Sequence, residues 1–304
     1  MQIKSPTKRM LPLWLMVLPG ILYLLVNNYI PMIGVFIAFK KVHYSKPLWL
    51  NEWAGWDNFQ FLFASPDAYI IVRNTLLYNA AFIILNLIFA LFIAVMLNEL
   101  KNKLMKKAYQ SILLLPFLLS FGVVGYLVFA FLSAEHGFIN TNILQPLGME
   151  PIEWYMNPDY WPYILVVVQS WKTAGYLSVI YLAAIVGINS EYYEAARMDG
   201  ANKWTQIMKI TIPLIKPVII IMTLLAIGRI FYADFGLFYQ VPMNTGRLLP
   251  TTNVIDTYVY RALIQTGDVG MSAAAGLFQS VLGFTLVLLA NYTVRKIDKE
   301  NALF

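Results

Sequence analysis

The chain has 304 residues, of which 59% are hydrophobic and only 12% are charged, and its net charge is +6. Soluble domains carry about 25% charged residues, so this composition excludes a water-soluble globular protein and indicates an integral membrane protein. Because there is no cysteine and the two histidines, His43 and His136, are far apart, we expect no metal site and no catalytic residue. The sequence also contains no G-x-x-x-x-G-K-[ST] loop that could bind ATP.

Six apolar stretches are long enough to cross a bilayer, for which a helix needs about 20 mostly apolar residues. They lie at residues 11–39, 73–98, 109–132, 163–188, 214–236 and 272–294. The first stretch contains Pro19, Gly20 and Pro31, so we expect a kink or tilt there. Its length favours an uncleaved transmembrane span over a cleaved signal peptide. The expected fold is an all-α integral membrane protein with six transmembrane helices in a single domain, residues 1–304.

The basic residues are unevenly distributed between the two sides of these spans. The outer loop at residues 133–162 has acidic residues but neither lysine nor arginine. If the N-terminus is cytoplasmic, the inner segments contain most of the basic residues, namely Lys4, Lys8, Arg9, Lys101, Lys103, Lys106, Lys107, Arg197, Lys203, Lys209, Lys216, Arg295, Lys296 and Lys299. Because cytoplasmic loops carry an excess of lysine and arginine, we predict that both termini are cytoplasmic. The positive charge then reflects topology, and we expect no nucleic-acid partner.

The inner segment between spans four and five, residues 189–213, has the pattern of two short helices joined by a turn. Ser190 is suited to cap the first helix, and Gly200 can adopt the left-handed conformation that ends it. Asn202 is suited to cap the second helix, which we expect to bury Trp204, Ile207 and Met208, with Pro213 opening span five. Such an element can transmit movement from a soluble partner, although an amphipathic segment lying on the inner leaflet would show the same pattern.

This segment resembles the E-A-A-x-x-x-G-x9-I-x-L-P signature of the permeases of binding-protein-dependent ABC importers. The matching residues are Glu194, Ala195, Ala196, Gly200, Ile210 and Pro213, and Ile212 replaces the usual leucine. In that family the loop forms coupling helices that sit in a cleft of the ATPase subunit. The resemblance therefore implies that ATPase coupling depends on Glu194, Ala195, Ala196, Asp199 and Gly200.

Shorter matches extend the resemblance over nearly the whole chain. The segments similar to the carbohydrate branch of this family are Leu18-Pro19-Gly20, Tyr29-Ile30-Pro31, Arg73-Asn74-Thr75-Leu76 and Leu97-Asn98-Glu99. Asn253-Val254-Ile255-Asp256-Thr257-Tyr258-Val259-Tyr260 and Gly270-Met271-Ser272-Ala273-Ala274-Ala275 resemble its subset for oligosaccharides and complex polysaccharides.

The resemblance implies a fold and a set of partners. The fold would be that of a type I ABC importer, and the chain would be a permease of the bacterial cytoplasmic membrane that catalyses no covalent chemistry. Its partners would be a second, non-identical permease, two ATP-binding subunits, an extracytoplasmic sugar-binding protein and an oligosaccharide. The chain itself would need no cofactor, since ATP and magnesium would bind to the partner ATPase.

Ionisable side chains inside spans are costly and usually face the interior of a bundle or a water-filled cavity. Lys172 and Arg229 both fall in the outer halves of predicted spans four and five, so we expect them to line one cavity. A sugar path would use rings for stacking and polar groups for hydroxyls, and the candidates are Gln169, Trp171, Lys172, Tyr176, Arg229, Tyr232 and Asp234. The alternative is structural, with Lys172 or Arg229 paired with Asp234 or with helix carbonyls.

Other polar and small residues in the spans favour packing roles. We expect Asn79, Asn86 and Gln279 to form hydrogen bonds between helices, and Gly276 and Gly283 to allow close helix contacts.

Two other functions are compatible with parts of the sequence. A permease for an amino acid or phosphate would share the inner loop but would have a differently charged cavity. A carrier coupled to ions or protons would have inverted repeats and a buried carboxylate relay. Asp234 is the single acidic residue that we place inside a span, which weighs against the carrier.

Overall fold

The computed structural model describes residues 6–65, 67–297 and 299, and these residues are almost entirely helical. They form two compact units. The first unit contains the N-terminal segment to Ser65 together with Val259–Phe278, and the second contains the rest of the described chain.

The first unit contains a long apolar helix. Helix α1 (Pro6–Leu24) is followed by a π-helical turn at Leu25–Tyr29, a short helix at Ile30–Met32 and a 3-10 helix at Ile33–Phe39. The stretch Pro12–Phe39 is long and apolar enough to span a membrane, as predicted, and the helical geometry changes on both sides of Pro31. Lys4, which we assigned to the inner side, lies outside the described residues.

A loop with short helical turns completes the N-terminal part of this unit. The turns lie at Leu48–Leu50, Asp57–Phe59 and Phe61–Ala64. Lys40 is buried, and its Nζ donates to the Asn51 carbonyl at 2.7 Å. Asn58 Nδ2 donates to the carbonyls of Ala38 and Lys40, both at 2.9 Å, which fixes the loop against the end of the span.

The second unit is a helical bundle in which two long helices pack along each other. These are α2 (Ala68–Glu99) and α5 (Trp161–Val186), with α3 (Lys103–Leu118) and α4 (Phe121–Leu132) between them in sequence. One buried apolar cluster contains Tyr78, Trp161 and Phe238. A second contains Ala90 and Ile215, so hydrophobic contacts hold the bundle at two levels.

The remaining helices follow the second long helix. They are α6 (Ser190–Met198), α7 (Lys203–Gly228), α8 (Ile255–Thr266) and α9 (Val269–Ile297). Shorter helical elements lie at Asn140–Leu144, Gln145–Leu147, Pro158–Tyr160, Gly236–Gln240, Gly246–Leu248 and Leu249–Thr252. Candidate spans at Ala68–Glu99, Pro158–Val186 and Val269–Lys296 confirm three further predictions.

The third predicted span, residues 109–132, is broken by a sharp bend, although the two helices together are long and apolar enough to span a membrane. Helices α3 and α4 meet at 96° over a short break. Ser120 caps α4 by accepting a bond from the Val123 N–H at 3.3 Å. Because the last carbonyls of a helix have no partner within it, the break exposes acceptors at the end of α3.

The fifth predicted span, residues 214–236, is displaced toward the N-terminus. Helix α7 has a π-helical stretch at Ile207–Thr211, and its following α-helical part, Ile212–Gly228, has Pro213 in the first turn as predicted. Residues 229–234 are not helical. A Cβ at Gly228 would lie 2.6 Å from a methyl of Val287. The apolar pattern of the sequence could not predict that α7 ends at Gly228, because side chains from distant parts of the sequence bind the backbone that follows this residue.

Candidate transport path and coupling loop

The inner loop at residues 189–213 forms the predicted helix–turn–helix. Helix α6 ends at a turn where Gly200 has a φ of 80°, a conformation that favours glycine. The prediction that Ser190 caps α6 is wrong, because Asn189 caps it by accepting a bond from the Glu191 N–H at 3.1 Å.

The beginning of α7 buries a different side chain from those predicted. Asn202 caps the helix as expected, since its Oδ1 accepts a bond from the Thr205 N–H at 2.9 Å. The predicted burial of Trp204 and Met208 is wrong, because they are 70% and 49% exposed, and Ile207 is only half-buried. Gln206 is buried instead and donates from Nε2 to the Ala201 carbonyl at 2.8 Å.

Two polar contacts make this loop rigid. The hydroxyl groups of Tyr193 and Thr211 are 2.9 Å apart and join α6 to α7. Lys203 Nζ lies 2.6 Å from a carboxylate oxygen of Glu99 at the end of α2. These contacts connect α6 to α7, and the beginning of α7 to the end of α2.

The residues that the family signature assigns to coupling lie on the accessible side of the loop. Glu194, Ala195, Asp199 and Gly200 are exposed, and Ala196 is half-buried. Met198 and Trp204 add exposed apolar surface beside them. Methionine and aromatic side chains are enriched at protein interfaces, so this surface suits a protein partner.

The backbone unwinds after α7, and we call residues 229–234 the unwound segment. Non-helical backbone at membrane depth is tolerated only where protein groups or a water-filled cavity satisfy its polar groups. Asn79 Nδ2 donates to the carbonyls of Ile230 at 2.9 Å and Tyr232 at 3.1 Å. Gln279 Nε2 donates to the Phe231 carbonyl at 2.7 Å.

A carboxylate also binds the unwound segment. Asp256 Oδ2 accepts bonds from the Ala233 N–H at 2.8 Å and from Gln279 Nε2 at 3.2 Å. Burial raises the pKa of the Asp256 carboxyl, the bond from Ala233 opposes this, and the nearby Asp234 carboxylate raises the pKa further.

The side chains of the unwound segment include three of the predicted path residues. Arg229 and Asp234 are exposed within the chain, and Tyr232 is half-buried with its hydroxyl 2.7 Å from Ser280 Oγ. The prediction that these three residues are helical is wrong. Arg229 also lines a cavity of about 210 Å³ together with Asn86 and Tyr181.

Lys172 does not line the cavity that Arg229 lines. Its side chain is buried, and Nζ donates to the carbonyls of Pro116 at 3.2 Å, Phe117 at 2.9 Å and Leu119. It also lies 4.8 Å from the centre of the Phe121 ring. Lys172 therefore binds the carbonyls exposed at the break between α3 and α4. This agrees with the alternative prediction, in which Lys172 pairs with helix carbonyls and has a structural role.

The other three predicted path residues lie with Lys172 on α5. Trp171 is 48% exposed and lines an apolar groove of about 490 Å³. Tyr176 stacks on Phe117 with ring centres 4.3 Å apart. The buried Oε1 of Gln169 has no hydrogen-bond partner within the described part of the chain.

Comparison with known proteins decides the family. Residues 72–299 match the family described as the binding-protein-dependent transport system inner membrane component. The chain is 35% identical to Protein LplB of Bacillus subtilis (strain 168) over 292 residues, covering 95% of this chain and 90% of LplB. It is 34% identical to the polygalacturonan/rhamnogalacturonan transport system permease protein YteP of the same organism, covering 95% of this chain and 89% of YteP.

A solved structure agrees in fold. The chain superimposes with a TM-score of 0.85 and 34% identity on a chain of a bacterial ABC transporter involved in the import of the acidic polysaccharide alginate, covering 96% of this chain and 97% of that one. This chain belongs to the binding-protein-dependent permease family. It is a multi-pass membrane subunit for transport and not an enzyme.

The packing predictions for this permease are mostly confirmed. Asn79 and Gln279 bond to the unwound segment, and Asn86 Oδ1 accepts a bond from Thr173 at 3.0 Å. A Cβ at Gly283 would lie 2.4 Å from the Gly228 carbonyl oxygen, which confirms a close contact. The prediction for Gly276 is wrong, because among the described residues no atom beyond its own stretch of helix lies within 4 Å of a Cβ placed there.

Sequence reasoning missed Asp256. It lies in the segment 253–260, which resembles sugar permeases, but it falls outside every predicted span and was given no role. A signal was available, since an acidic residue inside an otherwise uncharged apolar and hydroxylic run is typical of a specific polar contact.

Proposed function

We propose that this permease is one of two membrane subunits of an ATP-driven importer of oligosaccharides or polysaccharide fragments. The substrate class is supported by similarity over almost the whole chain to YteP, whose name specifies polygalacturonan and rhamnogalacturonan, and to a structure of an alginate importer. The observation that carries the transport path is the unwound segment, which places charged and aromatic residues next to the helices of an apolar bundle.

The sugar would contact side chains on both sides of this path. We assign Arg229, Tyr232 and Asp234 to it because two of them are exposed within the chain and the third is only half-buried. On α5 we keep Gln169, Trp171 and Tyr176 in the proposal. The unpartnered Oε1 of Gln169 is suited to accept a hydrogen bond from a sugar hydroxyl or from water.

We leave Lys172 out of the sugar path. Its ammonium group donates to three carbonyl groups, at Pro116, Phe117 and Leu119. An ammonium group has three donors, so a sugar could bind Lys172 only by displacing one of these bonds.

Energy would reach the path through α7. This helix runs without a break from the turn beside Gly200 to the unwound segment, and at 1.5 Å per residue its 26 residues span about 39 Å. Closure of the partner ATPase subunits around ATP and magnesium would move Glu194 and its neighbours. Because α6 and α7 are joined by Tyr193 and Thr211, that movement would change access to the unwound segment from one side of the membrane to the other.

The proposed assembly follows from this arrangement. The coupling loop would face the cytoplasm, and both termini would lie on that side of a bacterial cytoplasmic membrane. A second, non-identical permease and two ATP-binding subunits would complete the transporter. An extracytoplasmic sugar-binding protein would deliver the substrate, and a relative of this chain has been solved with such a periplasmic protein.

Purification and reconstitution would test the proposal. The complex is isolated from native membranes in mild detergent through a tag on this chain, and its subunits are identified by mass spectrometry. After reconstitution with its binding protein, ATP hydrolysis is measured with oligogalacturonides, alginate oligosaccharides, arabino-oligosaccharides, amino acids and phosphate.

We expect an ATPase and a second permease in the complex, and stimulation of ATP hydrolysis by one class of oligosaccharide only. Stimulation by amino acids or phosphate instead would exclude the sugar assignment. Transport by this chain alone without ATP would exclude the importer.

A further inference from the structure

The segment at residues 253–258 has no part in the transport path proposed above, yet hydrogen bonds anchor it within the second unit. The Ile255 N–H donates to Thr75 Oγ1 at 3.1 Å. Asn74 Nδ2 donates to the Asn253 carbonyl at 2.9 Å. These buried bonds join the beginning of α8 to α2.

Asp256 connects this anchored segment to the unwound segment. One of its carboxylate oxygens accepts the Ala233 N–H at 2.8 Å and Gln279 Nε2 at 3.2 Å. The same amide of Gln279 donates to the Phe231 carbonyl at 2.7 Å. The Asp256–Gln279 pair therefore binds the backbone on both sides of Tyr232.

These bonds replace the helical bonds that the segment lacks. An unpaired backbone group at membrane depth is costly, and a carboxylate is a stronger acceptor than a neutral group. We infer that Asp256, together with Gln279, is a positioning residue that holds the unwound segment in one conformation and thereby places Tyr232 and Asp234. The consequence for sugar binding rests on the proposed function, whereas the holding of the backbone does not.

A labelling experiment tests the backbone part without any sugar. The chain has no cysteine, so Ala233→Cys introduces the one thiol of this chain, at a side chain that is 8% exposed, and the label is quantified on this chain after the subunits are separated. The complete importer in proteoliposomes is treated with N-ethylmaleimide, and the labelling rate of Cys at 233 is compared with Asp256 intact, Asp256→Ala and Asp256→Asn. Ala94→Cys, at a fully buried position of α2, reports on the rest of the fold.

We expect Asp256→Ala to speed labelling at position 233 by about tenfold, as for the loss of one buried hydrogen bond to a charged group, with labelling at position 94 unchanged. Asp256→Asn keeps an acceptor oxygen and should restore slow labelling. An unchanged rate at position 233 in Asp256→Ala would overturn the inference. If Cys at 94 also reacts faster in Asp256→Ala, Gln279→Met is used in place of that variant. Faster labelling at position 233 in Gln279→Met then supports the inference, and an unchanged rate overturns it.

Transport kinetics distinguish a failure of this inference from a failure of the proposed sugar path. With the oligosaccharide found by the ATPase assay, Asp256→Ala should raise KM by about tenfold with a smaller change in kcat, because it displaces contact groups without touching the coupling loop. Asp256→Asn should restore KM. Faster labelling with an unchanged KM would uphold the role of Asp256 in holding the backbone and would exclude the unwound segment from the sugar path.

Discussion

Replacement of Lys172 by methionine removes the ammonium group from the break between α3 and α4 while keeping a flexible, unbranched side chain. In the structure Lys172 Nζ donates to the carbonyls of Pro116, Phe117 and Leu119. These are the last acceptors of a helix and of the turn after it, so the variant leaves them without this donor.

The expected loss of stability follows from these bonds. A buried acceptor left unpaired costs about 1–3 kcal/mol, whereas side-chain hydrogen bonds between membrane helices average about 0.6 kcal/mol. The Pro116 carbonyl still accepts a bond from the Leu119 N–H at 3.3 Å, so two acceptors are left unpaired and the lost contribution is about 2–6 kcal/mol. The burial of the ammonium group acts in the opposite direction, and we expect a net destabilisation of about 2–4 kcal/mol, or a Tm lower by about 5–10 °C.

Thermal unfolding of the purified complex measures this loss, and substrate-dependent ATP hydrolysis measures function. We expect Lys172→Met to lower Tm while KM for the sugar changes less than about twofold. Lys172→Arg keeps the charge and should retain most of the stability. An unchanged Tm combined with a KM for acidic oligosaccharides raised by about tenfold or more would refute the structural assignment and return Lys172 to the sugar path.

Three further predictions concern the coupling loop, the path and the packing of helices. Gly200→Pro should abolish sugar-stimulated ATP hydrolysis without preventing membrane insertion, because proline cannot adopt the φ of 80° found there, and Gly200→Ala should cost only about 1 kcal/mol. Arg229→Gln should raise KM for acidic oligosaccharides more than for neutral ones, measured by ATP hydrolysis, and equal effects would contradict a charge contact. Gly283→Leu should lower Tm, because even a Cβ there would lie 2.4 Å from the Gly228 carbonyl oxygen, whereas Gly276→Ala should leave Tm unchanged.

Composition and apolar length predicted the membrane spans well, because the cost of burying charge in a bilayer acts on every residue of a span. Four of the six spans lie close to their predicted positions, at Pro12–Phe39, Ala68–Glu99, Pro158–Val186 and Val269–Lys296. The inner loop was also predicted well, since Gly200 and Asn202 have local conformational roles that depend on few neighbours.

The two errors in the spans have a common cause. The break after Leu118 and the end of α7 at Gly228 both lie within apolar sequence, and hydropathy does not register them. Each depends on side chains distant in sequence, since Lys172 binds the first break and Asn79 binds the backbone after the second. A prediction from local pattern cannot show which remote donor satisfies a given carbonyl group.

The two breaks also explain why intramembrane polar residues in this permease fall into two classes. Lys172 and Asn79 donate to backbone carbonyls, and Gln279 donates to a backbone carbonyl and to the Asp256 carboxylate, so these polar groups stabilise the fold. Arg229 and Asp234 lie on the backbone that those residues hold, and both remain exposed within the chain. In the path proposed above, unwinding one segment would provide polar groups for a solute without leaving its backbone unsatisfied. If Arg229 lines that path, substitutions of Lys172 and Asn79 should mainly affect Tm, whereas substitution of Arg229 should mainly affect KM.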